Sequence, residues 1–442
     1  MSTPEARAAS VDRPSGKLSP GPGLAQRDVA AHQLARIHRA TVGIVAEEGY
    51  KALKVRDVVR RAEVSTRAFY EHFGSKEDCF LQTYELIARR ASRRIIAAQA
   101  GESDWRKRPQ LAFEEFSREL EKEPAQARLA LIEAYAVGNV SLERAWRVER
   151  IFEGMLAESL ARPPSGVRVP PLIIEGMVGG IIHISRKYLL ANEVTELSAA
   201  SSDLVEWALS YPDPSASQLT KLDQQSVWRD TMLEPLKGAF VTGSDPWPAT
   251  GDRAIILAAT AELSVKSGYS NLTVARIRSA ARVSRRKFEA YFDDLEDCYL
   301  AAIEQHVGEA MAQAARAQAA ARSWPGGVYR AITALCDHIA DDQFLARLCL
   351  TDDFPPGPNG TLHRQRFTEA LTELLTDQAP QFHTSRLTTE ASAGALWSLF
   401  HHHLIRDWAL RRRISATLSY LALAPVVGAP AAIGGIQNEQ HA

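Results

Sequence analysis

The sequence predicts an all-α protein made of two tandem units with the same helical architecture. Three observations carry this prediction. Apolar residues recur at helical spacing along most of the chain, without the alternation typical of strands. Residues 54–76 have the pattern of two short helices joined by a tight turn. The same pattern returns 219 residues later, so that Phe69 corresponds to Phe288.

The segment from Lys54 to Lys76 predicts a helix-turn-helix. Its second helix opens at Ser65, whose hydroxyl suits a helix N-cap, and buries Phe69 and Phe73. Because helices of fewer than about three turns are marginal alone, a third helix must pack beneath them. Residues 29–48 supply an amphipathic helix for this role. A helix-turn-helix with a basic outer face places its second helix in the major groove of DNA.

The repeat keeps distinctive residue types in one register. Chance similarity between two amphipathic segments would not conserve the spacing of Gly, Tyr, Ser, Cys and two Phe, so we interpret the repeat as a duplication. Residues 54–76 and 273–295 each contain six Lys or Arg against three acids, although the whole chain has a net charge of −1. Each predicted head is therefore locally basic, which suits contact with phosphates. Matching pairs include Gly49 and Gly268, Tyr50 and Tyr269, Ser65 and Ser284, and Cys79 and Cys298.

Length and composition limit the alternatives. A chain of 442 residues fits two domains of about 200 residues each. We interpret Cys79, Cys298, Cys336 and Cys349 as reduced core thiols, because they form no zinc or CxxC spacing. No apolar run reaches the ~20 residues of a membrane span and no signal peptide is recognisable, so we expect a cytoplasmic protein. The sequence offers no nucleotide loop, catalytic triad or carboxylate pair, and predicts no cofactor, no metal and no enzyme.

Breaks in the helical pattern predict the domain organisation. We expect a first head at 29–74 with a first helical body at 75–212, and a second head at 250–293 with a second body at 294–425. A linker at 213–249 would join them, and disordered tails would occupy 1–28 and 426–442.

The first head resembles the TetR (tetracycline-repressor-like) family of regulators. The resemblance rests on Val55-Arg56-Asp57-Val58-Val59, Ala62, Val64-Ser65, Phe69-Tyr70, Phe73 and Ser75-Lys76-Glu77-Asp78. It is specific over residues 32–90 and still clear over 251–303. It implies a homodimer that reads two half-sites of double-stranded DNA and is released by a small-molecule effector. Here both subunits are fused, which predicts a monomeric pseudo-dimer.

The resemblance also implies DNA contacts in the first head. Arg56 would meet a base edge or phosphate, and Thr66, Arg67 and Ala68 would form the leading turn of the recognition helix. Arg67 suits a guanine and Ala68 a thymine methyl group. Further phosphate contacts are expected from Ser65, Tyr70, His72 and Lys76.

The second head departs from this pattern. Its contacts are expected from Ser284, Arg285, Arg286, Lys287 and Tyr291, but Glu289 stands where the first head has Tyr70. Two interpretations remain open. The head reads a different half-site, which the three consecutive basic residues favour, or it has drifted and binds phosphate loosely.

The body is less informative. Gly176, Gly179 and Gly180 in one predicted pairing helix, and Gly394 in its counterpart, permit close helix approach. Candidates for the effector pocket are Tyr135, Phe152, Tyr188, Trp397 and Phe400. A metal site at His401-His402-His403 is disfavoured, because consecutive helical residues point about 100° apart. We expect a DNA-binding repressor; the alternative is a sensor or scaffold that kept the fold and lost DNA binding in one or both heads.

Overall fold

The computed structural model describes residues 26–134, 139–161, 166–224, 251–341, 358–376, 384–406 and 414–441. Within these ranges every regular element is a helix and no strand is present, which confirms the predicted all-α class. The chain divides into two compact units. One comprises Met1–Arg94 with Arg118–Val148, and the other Ile95–Ser117 with Glu149–Ala442.

Helices make up both halves of the chain in the described residues. The first half contains α1 (Gln26–Glu48), α2 (Val55–Ala62), α3 (Thr66–His72), α4 (Lys76–Ala98), α5 (Lys107–Lys122), α6 (Pro124–Leu131), α7 (Asn139–Leu160), α8 (Pro171–Ala191), α9 (Val194–Ala199) and α10 (Ser201–Leu209). The second half contains α11 (Asp252–Ser267), α12 (Val274–Ala281), α13 (Arg285–Glu289), α14 (Leu295–Ala319), α15 (Trp324–Asp341), α16 (Pro358–Thr376), α17 (Arg386–Arg406), α18 (Ser415–Val427) and α19 (Ala429–Gln440). Short 3-10 turns lie at Tyr50–Ala52, Pro214–Gln218 and Tyr269–Asn271.

The first head, α1–α3, closes around a small apolar core. Ile37, Leu53, Val58, Phe69 and Phe73 are all at most 1% exposed. Burying one such side chain stabilises a fold by about 1.5–3 kcal/mol, which is how helices of two turns persist here. In the second head, α11–α13, a matching core is built by Ile256, Leu272, Ile277, Phe288 and Phe292.

The two heads also repeat their polar contacts. Thr41 Oγ1 lies 3.3 Å from Cys79 Sγ, and Thr260 Oγ1 lies 3.2 Å from Cys298 Sγ. The ring centroids of Phe69 and Phe73 are 5.3 Å apart, and those of Phe288 and Phe292 are 5.6 Å apart. Because the contacts match at the same sequence spacing, the repeated residues make the same packing and polar contacts in both heads.

In the larger unit, α8 and α17 pack closely through glycines. A Cβ on Gly180 would lie 2.5 Å from the carbonyl oxygen of Ala391, and one on Gly394 would lie 2.5 Å from His183 Cβ. A Cβ on Gly179 would overlap the side chain of Ser398. The close approach expected from the small residues is therefore present, since any side chain at these positions would push the helices apart.

Part of the predicted linker belongs to the core. Leu219 and Leu222 are buried, and Asp223 accepts hydrogen bonds from the backbone N–H groups of Ala416 at 2.8 Å and Thr417 at 3.2 Å. These donors lie in the first turn of α18, where a helix has no partners of its own for its N–H groups. Residues 213–224 are thus part of the body, and the rest of the predicted linker lies outside the described residues.

The predicted disordered tail at 426–442 is wrong, because α19 occupies most of it. Gly428 adopts a φ of 82°, which ends α18 and reorients the chain into α19. Ile433 and Ile436 are buried, and a Cβ on Gly435 would lie 2.5 Å from Pro325 Cβ. Small residues that look featureless in sequence here allow a close helix contact. The predicted tail at 1–28 falls outside the described residues up to residue 25, and α1 begins at Gln26.

Candidate nucleic-acid interface and the regulatory body

The turn before α3 sets the direction of the recognition helix. Glu63 ends α2 in the left-handed conformation, with a φ of 50°, and its N–H bonds back to Arg60 and Val59. Ser65 is extended, and its Oγ accepts from the N–H of Ala68 at 3.0 Å. The predicted N-cap is therefore present. An αL residue followed by a capped start turns the chain sharply in three residues.

The two faces of α3 are chemically distinct. Phe69 is fully buried and anchors the helix on the head core. Thr66, Arg67 and Tyr70 lie on the outer face, and Tyr70 is 56% exposed although it is a large aromatic residue. Ala68 and His72 are half-buried at the edges of that face. The outer face thus offers hydrogen-bond donors, one cation and one small apolar group.

Arg67 is a highly exposed cation of the first head. Its side chain is 90% exposed, and its Nε donates to Glu71 Oε1 at 3.1 Å, one helical turn further on. An exposed pair at this spacing contributes only about 0.3–0.5 kcal/mol. A stronger acceptor, such as a guanine edge or a phosphate, can therefore displace Glu71 at little cost.

The other predicted contacts of this head lie at its edge. Arg56 is 77% exposed at the start of α2, with its Nε 3.6 Å from Asp57 Oδ2. Lys76 is half-buried, and its Nζ lies 5.0 Å from the ring centre of Tyr50. Tyr50 in turn donates from its hydroxyl to Glu77 at 3.3 Å. Lys76 is thus held at the start of α4 by an aromatic face.

A buried polar pair beneath the interface was not predicted. The Thr83 hydroxyl donates to the carbonyl of Cys79 at 2.7 Å, so its oxygen must accept the 2.7 Å hydrogen bond from His38 Nδ1. Burial and the nearby charges of Arg90 and His72 lower the pKa of His38 to about 4. His38 is therefore a neutral donor that ties α1 to α4. The equivalent residues in the second half are Leu257 and Ala302, both buried and apolar, so the pair has no repeat signature.

The recognition helix of the second head has the same start and a different outer face. Ser284 Oγ accepts from the N–H of Lys287 at 3.2 Å, and Arg282 adopts a φ of 55° before it. Arg285 Nε donates to Glu289 at 2.6 Å, and Lys287 Nζ lies 3.0 Å from Asp252 Oδ1. Arg286 is exposed and makes no ion pair with any residue that the structure describes. Tyr291 is also exposed, at 46%.

Of the predicted pocket residues that the structure describes, two share an aromatic cluster. Trp397 and Phe400 are buried and pack on Phe367, with ring centroids 5.0 Å and 6.4 Å from it. Phe152 and Tyr188 are half-buried, and no ring contact joins them to Trp397 in the described part of the chain. Tyr135 lies outside the described residues. Trp397 and Phe400 thus have the environment of core residues.

The three consecutive histidines form a cluster with glutamates from α7 and α8. His402 Nδ1 lies 3.0 Å from Glu175 Oε1, and His403 Nε2 lies 2.9 Å from Glu175 Oε2. His401 turns the other way and stacks on Trp397, as helical spacing requires. His402 Nε2 also lies 3.3 Å from Glu149 Oε2. A neutral imidazole has one N–H donor and one acceptor nitrogen. The ring of His402 has a carboxylate beside each of its two nitrogens, so a hydrogen bond to both carboxylates requires one additional proton at this cluster.

The glutamates of this cluster have opposite pKa shifts. Burial opposes the ionisation of Glu175, but hydrogen bonds from His402 and His403 outweigh it and lower the pKa of Glu175 to about 2. Burial, together with the charges of Glu175 and Glu149, raises the pKa of Glu153 to about 7. Among the described residues, no group of three or more His, Cys, Asp or Glu is placed to hold a metal ion. Of the helices described, none has the length and apolarity needed to cross a membrane.

Comparison with known proteins gives one match in sequence families. Residues 37–83 match the family described as "Bacterial regulatory proteins, tetR family". A comparison with the sequences of curated proteins finds no match.

The solved structures that resemble parts of the chain include three described by the following values. The transcriptional regulator FadR from Bacillus subtilis, solved in complex with stearoyl-CoA, is 17% identical, with a TM-score of 0.35 over 40% of this chain and 97% of that chain. The fatty acid degradation regulator FadR from Bacillus halodurans is 16% identical, with a TM-score of 0.36 over 39% of this chain and 96% of that one. A TetR-like transcriptional regulator from Rhodococcus sp. RHA1 is 18% identical, with a TM-score of 0.33 over 42% and 99%. At these TM-scores the likenesses carry no argument about function.

The family match covers the elements whose geometry is described above. Residues 37–83 include most of α1, all of α2 and α3, and the first turns of α4. They contain the Glu63 turn, the Ser65 cap and the buried Phe69 and Phe73. The chain thus contains, at residues 37–83, the head of the TetR family of bacterial regulatory proteins.

Proposed function

We propose that the protein is a transcriptional repressor that reads a double-stranded DNA operator with two recognition helices, α3 and α13, and that a small-molecule effector releases it. The observation that carries the proposal is the outer face of α3. Phe69 holds the helix from below, Ser65 caps it, and Thr66, Arg67 and Tyr70 are left exposed. An aromatic and a cation kept on the surface of a rigid short helix suit insertion into a major groove.

In this proposal Arg67 reads a guanine. A guanidinium can donate two parallel hydrogen bonds to the O6 and N7 atoms of guanine, and each such pair discriminates by about 1–3 kcal/mol. The small Ala68 suits contact with a thymine methyl group. Arg56, Ser65, Tyr70, His72 and Lys76 are assigned to the phosphate backbone on either side, which fixes the register of the helix.

The packing of the body supports the proposal that both halves act as subunits of one pseudo-dimer. The two body helices α8 and α17 come from different halves of the chain. Two tyrosines make hydrogen bonds between the halves: Tyr211 donates to the carbonyl of Leu421 at 2.8 Å, and Tyr420 donates to the carbonyl of Tyr211 at 3.0 Å. Each half then supplies one head, at 29–74 and 250–293, and one body.

Release by an effector follows from a preference between two states. In the DNA-bound state the recognition helices must lie about 34–36 Å apart to enter successive major grooves. A ligand that binds the body more tightly in another arrangement lowers DNA affinity by that difference, and about 1–3 kcal/mol is typical of such coupling.

The test begins with selection of bound duplexes from a random DNA pool, using the full chain. Operator affinity is then measured by fluorescence anisotropy for Arg67→Ala. We expect the substitution to weaken binding by about 5–150-fold and to relax the sequence preference at one base pair. The matched control is Arg386→Ala. Arg386 also pairs with a glutamate one turn away at 3.1 Å, is 83% exposed, and lies on the body helix α17.

The alternative function, a sensor or scaffold without specific DNA binding, predicts a different result. No duplex would be enriched, and Arg67→Ala would behave like Arg386→Ala. Either outcome contradicts the proposed function.

A further inference from the structure

We infer that the two heads read unlike half-sites, so that the operator is asymmetric: the half-sites share a guanine and differ on both sides of it. This inference rests on the proposed function. It concerns which bases each head selects, and it resolves the two interpretations that the sequence of the second head leaves open.

The first step is that both recognition helices start in the same frame. Two positions before each cap serine, one residue adopts the left-handed conformation: Glu63 with a φ of 50° and Arg282 with a φ of 55°. Each cap serine accepts from the N–H three residues on, at 3.0 Å and 3.2 Å. Phe69 and Phe288 anchor the two helices and are at most 1% exposed. With start and anchor equal, residues at the same spacing point outwards in the same direction from each head.

The second step compares those outward residues. Arg67 and Arg286 occupy the same position, so both heads present a guanidinium there. The neighbours differ in size and charge. Thr66 is replaced by Arg285, and Ala68 by Lys287. A methyl-sized side chain favours a thymine methyl group, whereas Lys and Arg donate to the acceptors of guanine.

The third step is that the ion pair on the helix surface shifts by one residue. In the first head Glu71 holds Arg67; in the second, Ala290 stands at the place of Glu71, and Glu289 holds Arg285. Arg286 is therefore not held by an acid in the described part of the chain. A shift of one residue turns the paired guanidinium by about 100° around the helix. The two heads thus present their cations in different patterns.

The ion pair between Arg285 and Glu289 also removes the main reason to interpret the second head as one that binds phosphate only loosely. Glu289 stands where the first head has Tyr70, and an isolated carboxylate there would repel phosphate. Its Oε1 lies 2.6 Å from Arg285 Nε, so the pair carries no net charge. The acid is a partner for a basic residue of the same helix, and the outer face of α13 keeps the positive charge of Arg286, since Lys287 is paired with Asp252.

The experiment uses the full chain and three exposed substitutions. Arg285→Thr, Lys287→Ala and Glu289→Tyr together reproduce in α13 the sequence of residues 66–70. None of these positions is in the core, so the helix content should be unchanged by circular dichroism. Duplexes are selected with the natural chain, and three synthetic operators are then compared: the selected one, and one with each half-site duplicated.

We expect the natural chain to enrich two unlike half-sites with a common guanine, the second richer in guanine than the first. It should bind the selected operator about 5–150-fold more tightly than either duplicated one. The triple variant should instead prefer the duplicated first half-site by a similar factor. The reciprocal pair Thr66→Arg and Ala68→Lys should shift preference towards the duplicated second half-site.

Each other outcome is decisive. Enrichment of a palindrome, or of a single half-site beside random sequence, overturns the inference and leaves DNA binding by the first head intact. An unchanged preference in the triple variant also overturns it. The absence of any enriched duplex contradicts the proposed function itself, and the inference fails with it.

Discussion

The glutamate cluster of the body predicts that Glu153→Gln stabilises the protein above neutral pH. Burial and the charges of Glu175 and Glu149 raise the pKa of Glu153 from 4.5 to about 7. The folded state thus disfavours the carboxylate form. The contribution of Glu153 to stability decreases as pH rises from 4.5 towards 7, and above pH 7 its unfavourable effect is complete.

The magnitude follows from that difference in pKa. One pKa unit corresponds to about 1.36 kcal/mol, so the rise in the pKa of Glu153 from 4.5 to about 7 corresponds to about 3 kcal/mol. Because Glu153 is only half-buried, solvent screens part of this energy, and we expect a gain of about 1–2 kcal/mol for the variant. Glutamine keeps the shape of the side chain and removes the charge, so packing should change little.

The assay is thermal or urea unfolding of both proteins between pH 4.5 and 8.5. We expect the melting midpoint of the variant to be higher by about 1–2 °C at pH 8, and the difference to shrink steadily below pH 7. The control is Glu158→Gln on the same helix, since Glu158 is 74% exposed and lies 3.6 Å from an equally exposed Arg168. A stabilisation independent of pH, or an equal effect in the control, would refute this account of the cluster.

Three further predictions concern packing and caps. Gly180→Ala should lower stability by about 1–3 kcal/mol in thermal unfolding, because its Cβ would lie 2.5 Å from a backbone oxygen of α17. Gly154→Ala, with nothing within 4 Å of its Cβ, should instead raise stability by about 0.5–1 kcal/mol, and equal effects would contradict the packing argument. Asp223→Ala should destabilise by about 1–3 kcal/mol, since it leaves two buried N–H groups and one hydroxyl of α18 without an acceptor, and an unchanged urea midpoint would argue against this. Ser65→Ala should cost the first head about 1 kcal/mol, seen as faster amide exchange at Ala68; unaltered exchange would show that the cap is dispensable.

The heads were predictable because their determinants are local. Ser65 caps the N–H three residues away, and Glu63 turns the chain two residues before Ser65. The spacing of Phe69 and Phe73 gives the buried face without knowledge of the rest of the fold. Such signals lie within one or two helical turns and can be read from the sequence directly. The repeat at 273–295 shows the same pattern a second time and so supports the prediction made from residues 54–76.

The body was less predictable because its contacts join distant residues. His402 and Glu175 are 227 residues apart, and nothing local in either segment indicates that they meet. The sequence limited how many of the three histidines could converge, but it did not supply the partner. The final helix was missed for another reason. Gly435 packs against Pro325, and a contact that depends on the absence of a side chain leaves no apolar stripe to recognise.

The start of α18 has a bearing on how the two halves can be separated. Its first N–H groups depend on the carboxylate of Asp223, which precedes them by 193 residues. A fragment that begins at residue 251 would lack this acceptor. A fragment that ends before residue 251 would contain Asp223 but not the N–H groups that donate to it. A protease cut between them should therefore leave a nicked particle that stays assembled, whereas the two pieces made separately would each be incomplete until they are mixed.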